Sequence, residues 1–188
     1  MIEPFAAVWH KQEMDEADII AGLRAGETAA AAALMDAHGN RLLRSAYLLC
    51  GNATDAQDLA QETLLQAVKS ARRFRGDSAL YTWLHGILLN LSRHHARHAA
   101  RVTLTAAVPE TAAETAPPGL ALDQASDADT LWAALGQLSA THREVLVLRF
   151  YEELRLDEIA ARLELSTGTV KSRLHYALRE LRGVLPEI

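Results

Sequence analysis

This 188-residue sequence has little of what a β-sheet or a disulfide-bonded protein needs. Val and Ile number 8 and 6, whereas Ala and Leu number 35 and 30; β-branched residues favour strands, and Ala and Leu favour helices. Cys50 is the single cysteine, which excludes intramolecular disulfides and multi-cysteine metal sites and indicates a reducing cytosol. No apolar run approaches the roughly 20 residues of a membrane span, and residues 1–11 lack the core of a secretory signal. The sequence therefore predicts an all-α protein without direct membrane insertion.

The charge of the chain is unevenly distributed. The formal net charge is −5, but seven basic residues accompany one acid between positions 69 and 101, and four accompany one acid between positions 165 and 182. A local positive potential attracts phosphate even where the whole chain is acidic. Either basic segment alone would equally fit a solvated helix face; together they indicate nucleic-acid binding.

Residues 99–129 have the composition of a linker. They are rich in Ala, Thr, Pro and acid, include Pro117 and Pro118, and show no helical apolar stripe. Such a segment cannot bury enough apolar surface to fold alone. We therefore predict two small helical domains, over 13–98 and 130–188, joined by a flexible linker and preceded by an N-terminal extension over 1–12.

Helical periodicity divides the first domain into short helices. The pattern predicts helices over 15–25, 28–38 and 41–49, with breaks at Gly26 and Gly51, and a further helix over 56–71 capped by Thr54 or Asp55. Apolar residues recur at helical spacing on the inner faces of this helix and the next: Ala56, Leu59, Ala60, Thr63, Leu64, Ala67, Val68 and Ala71, then Leu80, Leu84, Ile87, Leu88 and Leu91, with His95 beside them.

One leucine lies on the polar side of the helix over 56–71. Asp58, Gln61 and Glu62 form that side, and Leu65 follows Glu62 by three residues and Asp58 by seven. A lone exposed leucine usually has no function. Among acidic and amide groups at helical spacing, however, it is interpreted as the apolar centre of a partner-binding patch.

A basic loop with one aromatic residue follows that helix. It comprises Arg72, Arg73, Phe74 and Arg75, and Asp77 or Ser78 is expected to cap the helix after it. On that next helix, Gly86, Asn90, Arg93 and Arg97 share a polar and basic face. Tyr81 and Trp83 are equally compatible with a place in the core and with contact to a DNA base. Phe74, which lies between arginines, is interpreted as stacking on an unstacked base.

The second domain is predicted to end in a helix-turn-helix. Helices are expected over 129–138, 141–152, 156–163 and 167–182, with Ser166 capping the last one after a three-residue turn. In this arrangement the start of the second helix enters the DNA major groove. Its outward residues are donors and cations, as base edges and phosphates require: Thr169, Lys171, Ser172, His175, Tyr176 and Arg179.

These segments resemble a known family. Residues 55–64, 74–78 and 82–90 resemble conserved region 2 of bacterial sigma factors of the extracytoplasmic-function (ECF) group, and residues 143–146, 158–160 and 168–174 resemble region 4. The order, the spacing and the intervening linker agree with that group. Departures from the pattern occur at Gln57, His94, Arg155 and Tyr176, and Glu153 and Glu164 replace two customary glycines, of which Glu164 is expected to need a positive φ.

The resemblance implies a protein that binds core RNA polymerase and directs it to promoters. It implies docking of region 2 on the coiled coil of the largest subunit and of region 4 on the flap of the second large subunit. Core binding would use Asp58, Gln61, Glu62 and Leu65. Recognition and melting of the −10 element would use Arg72, Arg73, Phe74, Arg75, Asp77, Ser78, Trp83, Asn90, Arg93 and Arg97. Recognition of the −35 element would use Thr169, Lys171, Ser172, Arg173, His175, Tyr176 and Arg179.

The resemblance also implies control by an anti-sigma factor in the cytoplasm and no catalytic site, cofactor, small-molecule substrate or metal. Two other classes of protein remain as alternatives. One is a helix-turn-helix regulator that never contacts polymerase, which would leave the Leu65 face unexplained. The other is a metal-dependent enzyme using His85, His94, His95 and His98, although no carboxylate or cysteine lies near them at ligand spacing.

Overall fold

The structure is a computed structural model that describes residues 14–103, 131 and 134–185, and only the backbone of residues 99–103. Within these ranges the chain is helical and contains no strand, in agreement with the predicted all-α class. The predicted N-terminal extension and nearly all of the predicted linker lie outside the described residues.

The first unit contains four helices. They are α1 (Glu16–Ala25), α2 (Thr28–Cys50), α3 (Ala53–Ser70) and α4 (Leu80–Thr103), with a 3₁₀ turn over Ala71–Arg73. The ends of α1 and α2 lie where Gly26 and Gly51 adopt φ values of 81° and 85°, which glycine adopts without steric cost. Asn52, rather than Thr54 or Asp55, caps α3 by accepting from the Asp55 N–H at 2.7 Å.

The predicted break between residues 38 and 41 is wrong, because α2 continues through Gly39. A glycine inside a helix costs only about 1 kcal/mol relative to alanine. The burial of Leu34 and Leu42 on one face of the continuous helix offsets that cost.

The boundaries of α4 also differ from the prediction. Its first residue is Leu80, whose N–H donates to Glu16 Oε2 of α1 at 3.3 Å. Asp77 and Ser78 therefore lie too early in the chain to be its N-cap. The helix continues to Thr103, past the predicted domain boundary at residue 98.

The second unit ends in the predicted helix-turn-helix. It contains α5 (Ala140–Leu146), a π-helical segment (Val147–Tyr151), α6 (Leu156–Leu163) and α7 (Thr167–Val184), preceded by helical residues at 131 and 134–137. Ser166 caps α7 by accepting from the Thr169 N–H at 3.1 Å, as predicted. Glu153 and Glu164 both have φ of 55°, so the left-handed conformation expected of Glu164 is confirmed.

The two units pack against each other along α2 and α4. Leu80, Leu84 and Leu88 face the interior of the first unit, as predicted. Tyr81, His85, Leu89 and Arg93 recur every fourth residue along a second stripe, and three of the four contact the second unit directly. Leu89 and His85 are each 1 % exposed, although neither belonged to the predicted core stripe. The apolar residues of the two units form one continuous buried cluster.

Candidate functional site

The polar side of α3 is exposed in the structure. Asp58, Gln61 and Glu62 are exposed, and Leu65 retains 53 % of its surface. Val68, predicted to face inward, is 37 % exposed and extends the apolar area by one helical turn. None of these five side chains is needed to fill the core, so the surface is available to a partner.

The loop after α3 is basic but does not present its aromatic ring. Arg72, Arg73 and Arg75 are exposed, whereas Phe74 is only 6 % exposed. Its ring packs against Trp83 with centroids 4.9 Å apart, and its carbonyl accepts from Arg24 Nη2 at 2.6 Å. The interpretation of Phe74 as a free stacking ring is wrong, because the 3₁₀ turn directs it inward and α1 holds the loop there.

The remaining −10 candidates lie on α4 and in the loop that precedes it. Asn90 and Arg97 are exposed, and Trp83 is half-buried against Phe74. Asp77 and Ser78 are exposed in the loop, where Asp77 lies 3.4 Å from Arg75 Nε. His95, predicted to face the core, has 42 % of its side chain exposed and lies 3.6 Å from Asp55.

Arg93 forms an ion pair with a residue of the second unit. Its guanidinium donates to Glu144 from Nε at 2.6 Å and from Nη2 at 3.3 Å, and the Glu144 side chain is only 8 % exposed. Bidentate ion pairs of this kind are geometrically specific and stronger than neutral hydrogen bonds. One cation of the predicted −10 surface is therefore covered by a carboxylate of the same chain.

Glu152 is the centre of a second group of contacts between the units. Its Oε1 accepts from Ser45 Oγ at 2.5 Å and Tyr81 Oη at 3.0 Å, and its Oε2 accepts from Arg41 Nη2 at 3.1 Å. The Glu152 side chain is 5 % exposed. His85 Nε2 lies 3.5 Å from Oε1 of the same carboxylate, without hydrogen-bond geometry.

Burial lowers the pKa of His85 to about 4, so its ring is neutral at physiological pH. Arg162 Nη1 of α6 lies 3.2 Å from His85 Nδ1. Because an arginine only donates, Nδ1 is the acceptor and the ring proton is on Nε2, toward Glu152.

Arg143 joins the end of α2 to the second unit. Its guanidinium donates to the carbonyls of Leu135, Gly136 and Leu138, and Nη1 reaches the Leu49 carbonyl at 3.1 Å. The last four carbonyls of a helix have no partner within the helix and carry its partial negative charge. Arg143 therefore supplies a buried cation to the C-terminal end of α2.

The outward face of α7 presents the −35 candidates. Lys171, Ser172, His175, Tyr176 and Arg179 are exposed, and Thr169 and Arg173 are half-buried. Arg179 lies over the Tyr176 ring, 5.0 Å from its centroid, so the ring helps to position that cation. The opposite face packs Val170, Leu174 and Ala177 into the core.

The hydroxyls of this face are already engaged. Ser172 Oγ donates to the Gly168 carbonyl at 3.1 Å, and Thr169 Oγ1 lies 2.8 Å from the capping hydroxyl of Ser166. The sequence predicted the face but not these internal bonds, which orient both hydroxyls at the start of the helix.

Comparison with known proteins gives the family. Residues 34–102 match sigma-70 region 2, and residues 134–183 match sigma-70, region 4. The ECF RNA polymerase sigma factor SigL of Mycobacterium tuberculosis is 37 % identical over 175 residues, which are 90 % of this chain and 96 % of SigL. This chain belongs to the ECF RNA polymerase sigma factors.

Two solved structures have the same fold. One is RpoE in complex with the anti-sigma factor NepR from Bartonella quintana, with a TM-score of 0.68 and 27 % identity over 80 % of this chain and 92 % of that one. The other is CnrH in complex with the cytosolic domain of CnrY, with a TM-score of 0.58 and 27 % identity over 88 % and 94 %.

Membership of this family decides between the classes of protein considered above. A sigma factor is a transcription initiation factor and not an enzyme. A regulator that acts without polymerase is set aside on the same ground, since both regions of the family are matched. In the described part of the chain, no helix is both long and apolar enough to cross a membrane.

Proposed function

We propose that this ECF sigma factor docks on core RNA polymerase mainly through the exposed side of α3. Region 2 would bind the coiled coil of the largest subunit through Asp58, Gln61, Glu62 and Leu65, and region 4 would bind the flap of the second large subunit. The observation that carries this proposal is the 53 % exposure of Leu65 within an acidic and amide rim. An apolar centre with a polar rim is the usual composition of a protein interface.

The basic surfaces would then contact the promoter in the cytoplasm. The surface for the −10 element would comprise Arg72, Arg73, Arg75, Asp77, Ser78, Trp83, Asn90, Arg93 and Arg97, with Phe74 packed beneath the loop. For the −35 element they are Thr169, Lys171, Ser172, Arg173, His175, Tyr176 and Arg179. Exposed arginines suit the phosphates of an opened strand, and a helix face of hydroxyls and cations suits the major groove.

Regulation by an anti-sigma factor is part of the same proposal. The solved relatives RpoE and CnrH are each in complex with another protein, which in the first case is an anti-sigma factor by name.

A charge placed in the apolar centre of α3 tests the docking surface. Leu65→Asp, alone or with Glu62→Lys, should leave the helical content and the melting temperature unchanged, because neither side chain is buried. Binding to purified core polymerase should fall at least about tenfold, the effect of losing 1.4 kcal/mol of interface energy.

Met35→Asp is the matched control, since Met35 on α2 is 56 % exposed and equally apolar. It should bind core polymerase as the unchanged protein does. Unchanged binding by folded Leu65→Asp/Glu62→Lys would show that this side of α3 is not the docking surface.

A further inference from the structure

The helix α1 contacts both ends of the loop between α3 and α4. This loop, residues 71–79, is called the −10 loop below. Near its start, Arg24 Nη2 donates to the Phe74 carbonyl at 2.6 Å. Directly after its end, Glu16 Oε2 accepts from the Leu80 N–H at 3.3 Å. Arg24 lies in the last turn of α1 and Glu16 in the first turn, so a single helix holds the −10 loop at both ends.

These contacts supply partners that the ends of α3 and α4 lack. The last carbonyls and the first N–H groups of a helix have no partner within it, and they carry partial negative and positive charge. Arg24 Nε lies 3.5 Å from the carbonyl of Ala71, the C-cap of α3. The cation at the end of α3 and the Glu16 carboxylate at the start of α4 have the signs that these helix ends favour. Hydrogen bonds to charged groups are also stronger than neutral ones.

Neither charged side chain is part of the core. Arg24 and Glu16 are exposed, whereas the buried face of α1 contains the apolar residues Ile19 and Leu23. The apolar face therefore holds α1 on the first unit, and the two charged side chains act on the −10 loop.

The position of the −10 candidates depends on the Phe74 backbone that Arg24 holds. The Phe74 ring packs against Trp83 with centroids 4.9 Å apart. Arg75 follows Phe74 directly, and residues 75–79 are exposed. A displacement of about 1 Å is enough to impair a binding or reacting group. Two side chains outside the loop thus determine where its exposed part lies.

We propose that Arg24 and Glu16 are positioning residues for promoter opening, which hold the −10 loop in the shape that captures the opened strand and do not contact DNA themselves. This proposal rests on the proposed function, because that function assigns the loop to the −10 element. A loop that is held in advance loses less conformational freedom when it binds.

Hydrogen exchange of the free full chain tests the positioning without DNA. In Arg24→Gln and in Glu16→Gln, the backbone amides of residues 71–83 should exchange about fivefold faster, the effect of one lost hydrogen bond on local opening. The amides of residues 56–67 in α3 should exchange as in the unchanged protein, which shows that the core is intact. Unchanged exchange of residues 71–83 in folded Arg24→Gln/Glu16→Gln would overturn the proposal.

Two further variants are matched controls for charge. Asp18→Asn removes one negative charge from an exposed position in the same turn as Glu16 and should leave the exchange of the −10 loop unchanged. Arg24→Lys keeps the positive charge but loses the planar guanidinium that faces two carbonyls. It should give intermediate values for both loop exchange and promoter opening. Opening at the unchanged rate by Arg24→Lys despite faster loop exchange would show that only the charge matters, and would overturn the proposal.

Promoter opening by the holoenzyme tests the consequence for transcription. The probe is a promoter fragment that the unchanged holoenzyme selects from randomised DNA. With Arg24→Gln/Glu16→Gln, permanganate-reactive thymines should appear at least about fivefold more slowly, whereas core binding and closed-complex formation should not change. Run-off transcription should recover on a fragment pre-melted across the −10 element, because unstacking then no longer has to be offset by strand capture. Equal loss on both fragments would indicate a merely structural role and would overturn the proposal.

The variant Arg72→Gln/Arg75→Gln separates this proposal from the proposed function, because it changes exposed arginines of the −10 loop itself. Slow opening by this loop variant and normal opening by Arg24→Gln/Glu16→Gln would keep the −10 assignment of the loop and overturn the role of α1. Normal opening by the loop variant would overturn both. Slow opening by both variants is the expected result.

Discussion

Two glutamates of region 4 occupy backbone conformations that favour glycine. Glu153 and Glu164 both have φ of 55°, and Glu164 ends α6 in the turn before the recognition helix. The left-handed conformation costs a non-glycine residue roughly 1–2 kcal/mol. Replacing the glutamate with glycine removes that cost. Glycine also has more conformational freedom in the unfolded chain, which stabilises the unfolded state and offsets part of the gain.

We therefore expect Glu164→Gly to raise the free energy of unfolding by about 0.5–1 kcal/mol. Urea unfolding followed by circular dichroism measures this change. Glu164→Ala is the control, because it removes the same charge without relieving the backbone and should give no gain. Equal effects of glycine and alanine would show that the charge, and not the backbone conformation, determines the result.

Cys50 shows how burial changes a single group. Its Sγ lies 3.3 Å from the Asn52 carbonyl, and burial raises the pKa of the thiol to about 11. Since thiolate is the reactive form, the single cysteine remains protonated and unreactive at neutral pH.

At the scale of one element, α7 separates two kinds of DNA contact. Ser172 and His175 point outward from the first half of the helix, where side chains reach base edges in the major groove. Arg179 lies one turn beyond His175 and is held over Tyr176, where a phosphate contact is expected. Ser172 and His175 should therefore determine which bases are preferred, whereas Arg179 should strengthen binding to DNA of any sequence.

Ser172→Ala or His175→Ala should relax the preference at one position of the −35 element, with a cost of roughly 1–3 kcal/mol for the preferred base. Arg179→Gln should weaken binding to all sequences alike and reduce the salt dependence by about one phosphate contact. Binding of holoenzyme to −35 variants at several salt concentrations measures both effects.

Arg155→Gln provides the control for charge, since Arg155 is exposed at the start of α6 and outside the outward face of α7. Our assignment fails for this element if −35 base substitutions affect the unchanged protein and the Ser172 and His175 variants equally.

At the scale of the whole molecule, the free energy of unfolding depends on pH through His85, which lies between the two units. The groups around its ring are Glu152, which favours protonation, Arg162 and Arg41, which oppose it, and the neighbouring ring of Tyr81. Burial dominates and lowers the pKa from 6.5 to about 4. Above pH 6.5 the ring is neutral in both the folded and the unfolded chain, so it contributes no pH dependence there.

Between pH 6.5 and 4 the His85 ring takes up a proton in the unfolded chain but stays neutral in the folded chain. The folded chain therefore loses stability as the pH falls. The loss due to His85 from pH 7 to pH 5 is about 2 kcal/mol. Urea unfolding at pH 7 and pH 5 gives the change in the free energy of unfolding for the unchanged protein and for His85→Gln. The change should be smaller in His85→Gln by the contribution of His85. Burial also lowers the pKa of His38, but its contribution is common to both proteins and cancels.

Identical pH dependence in the unchanged protein and His85→Gln would contradict a neutral, buried His85.

The sequence by itself determined the class of fold, the sigma-factor family and the exposed faces of α3 and α7. These follow from local chemistry: the spacing of apolar residues over a few turns, the capping by Ser166, and the left-handed turn at Glu164. Each of these signals involves residues within a few positions of one another, so it can be read along the chain.

Only the tertiary structure decided the burial of Phe74 and the contacts between the units. Phe74 lies between arginines in the sequence, yet Arg24 from α1 and Trp83 from α4 hold it inward. Arg93 and Glu144 are 51 residues apart, and Arg41 and Glu152 are 111 apart. No local pattern marks such partners, because an ion pair between units depends on where two helices meet and not on the neighbours of either residue.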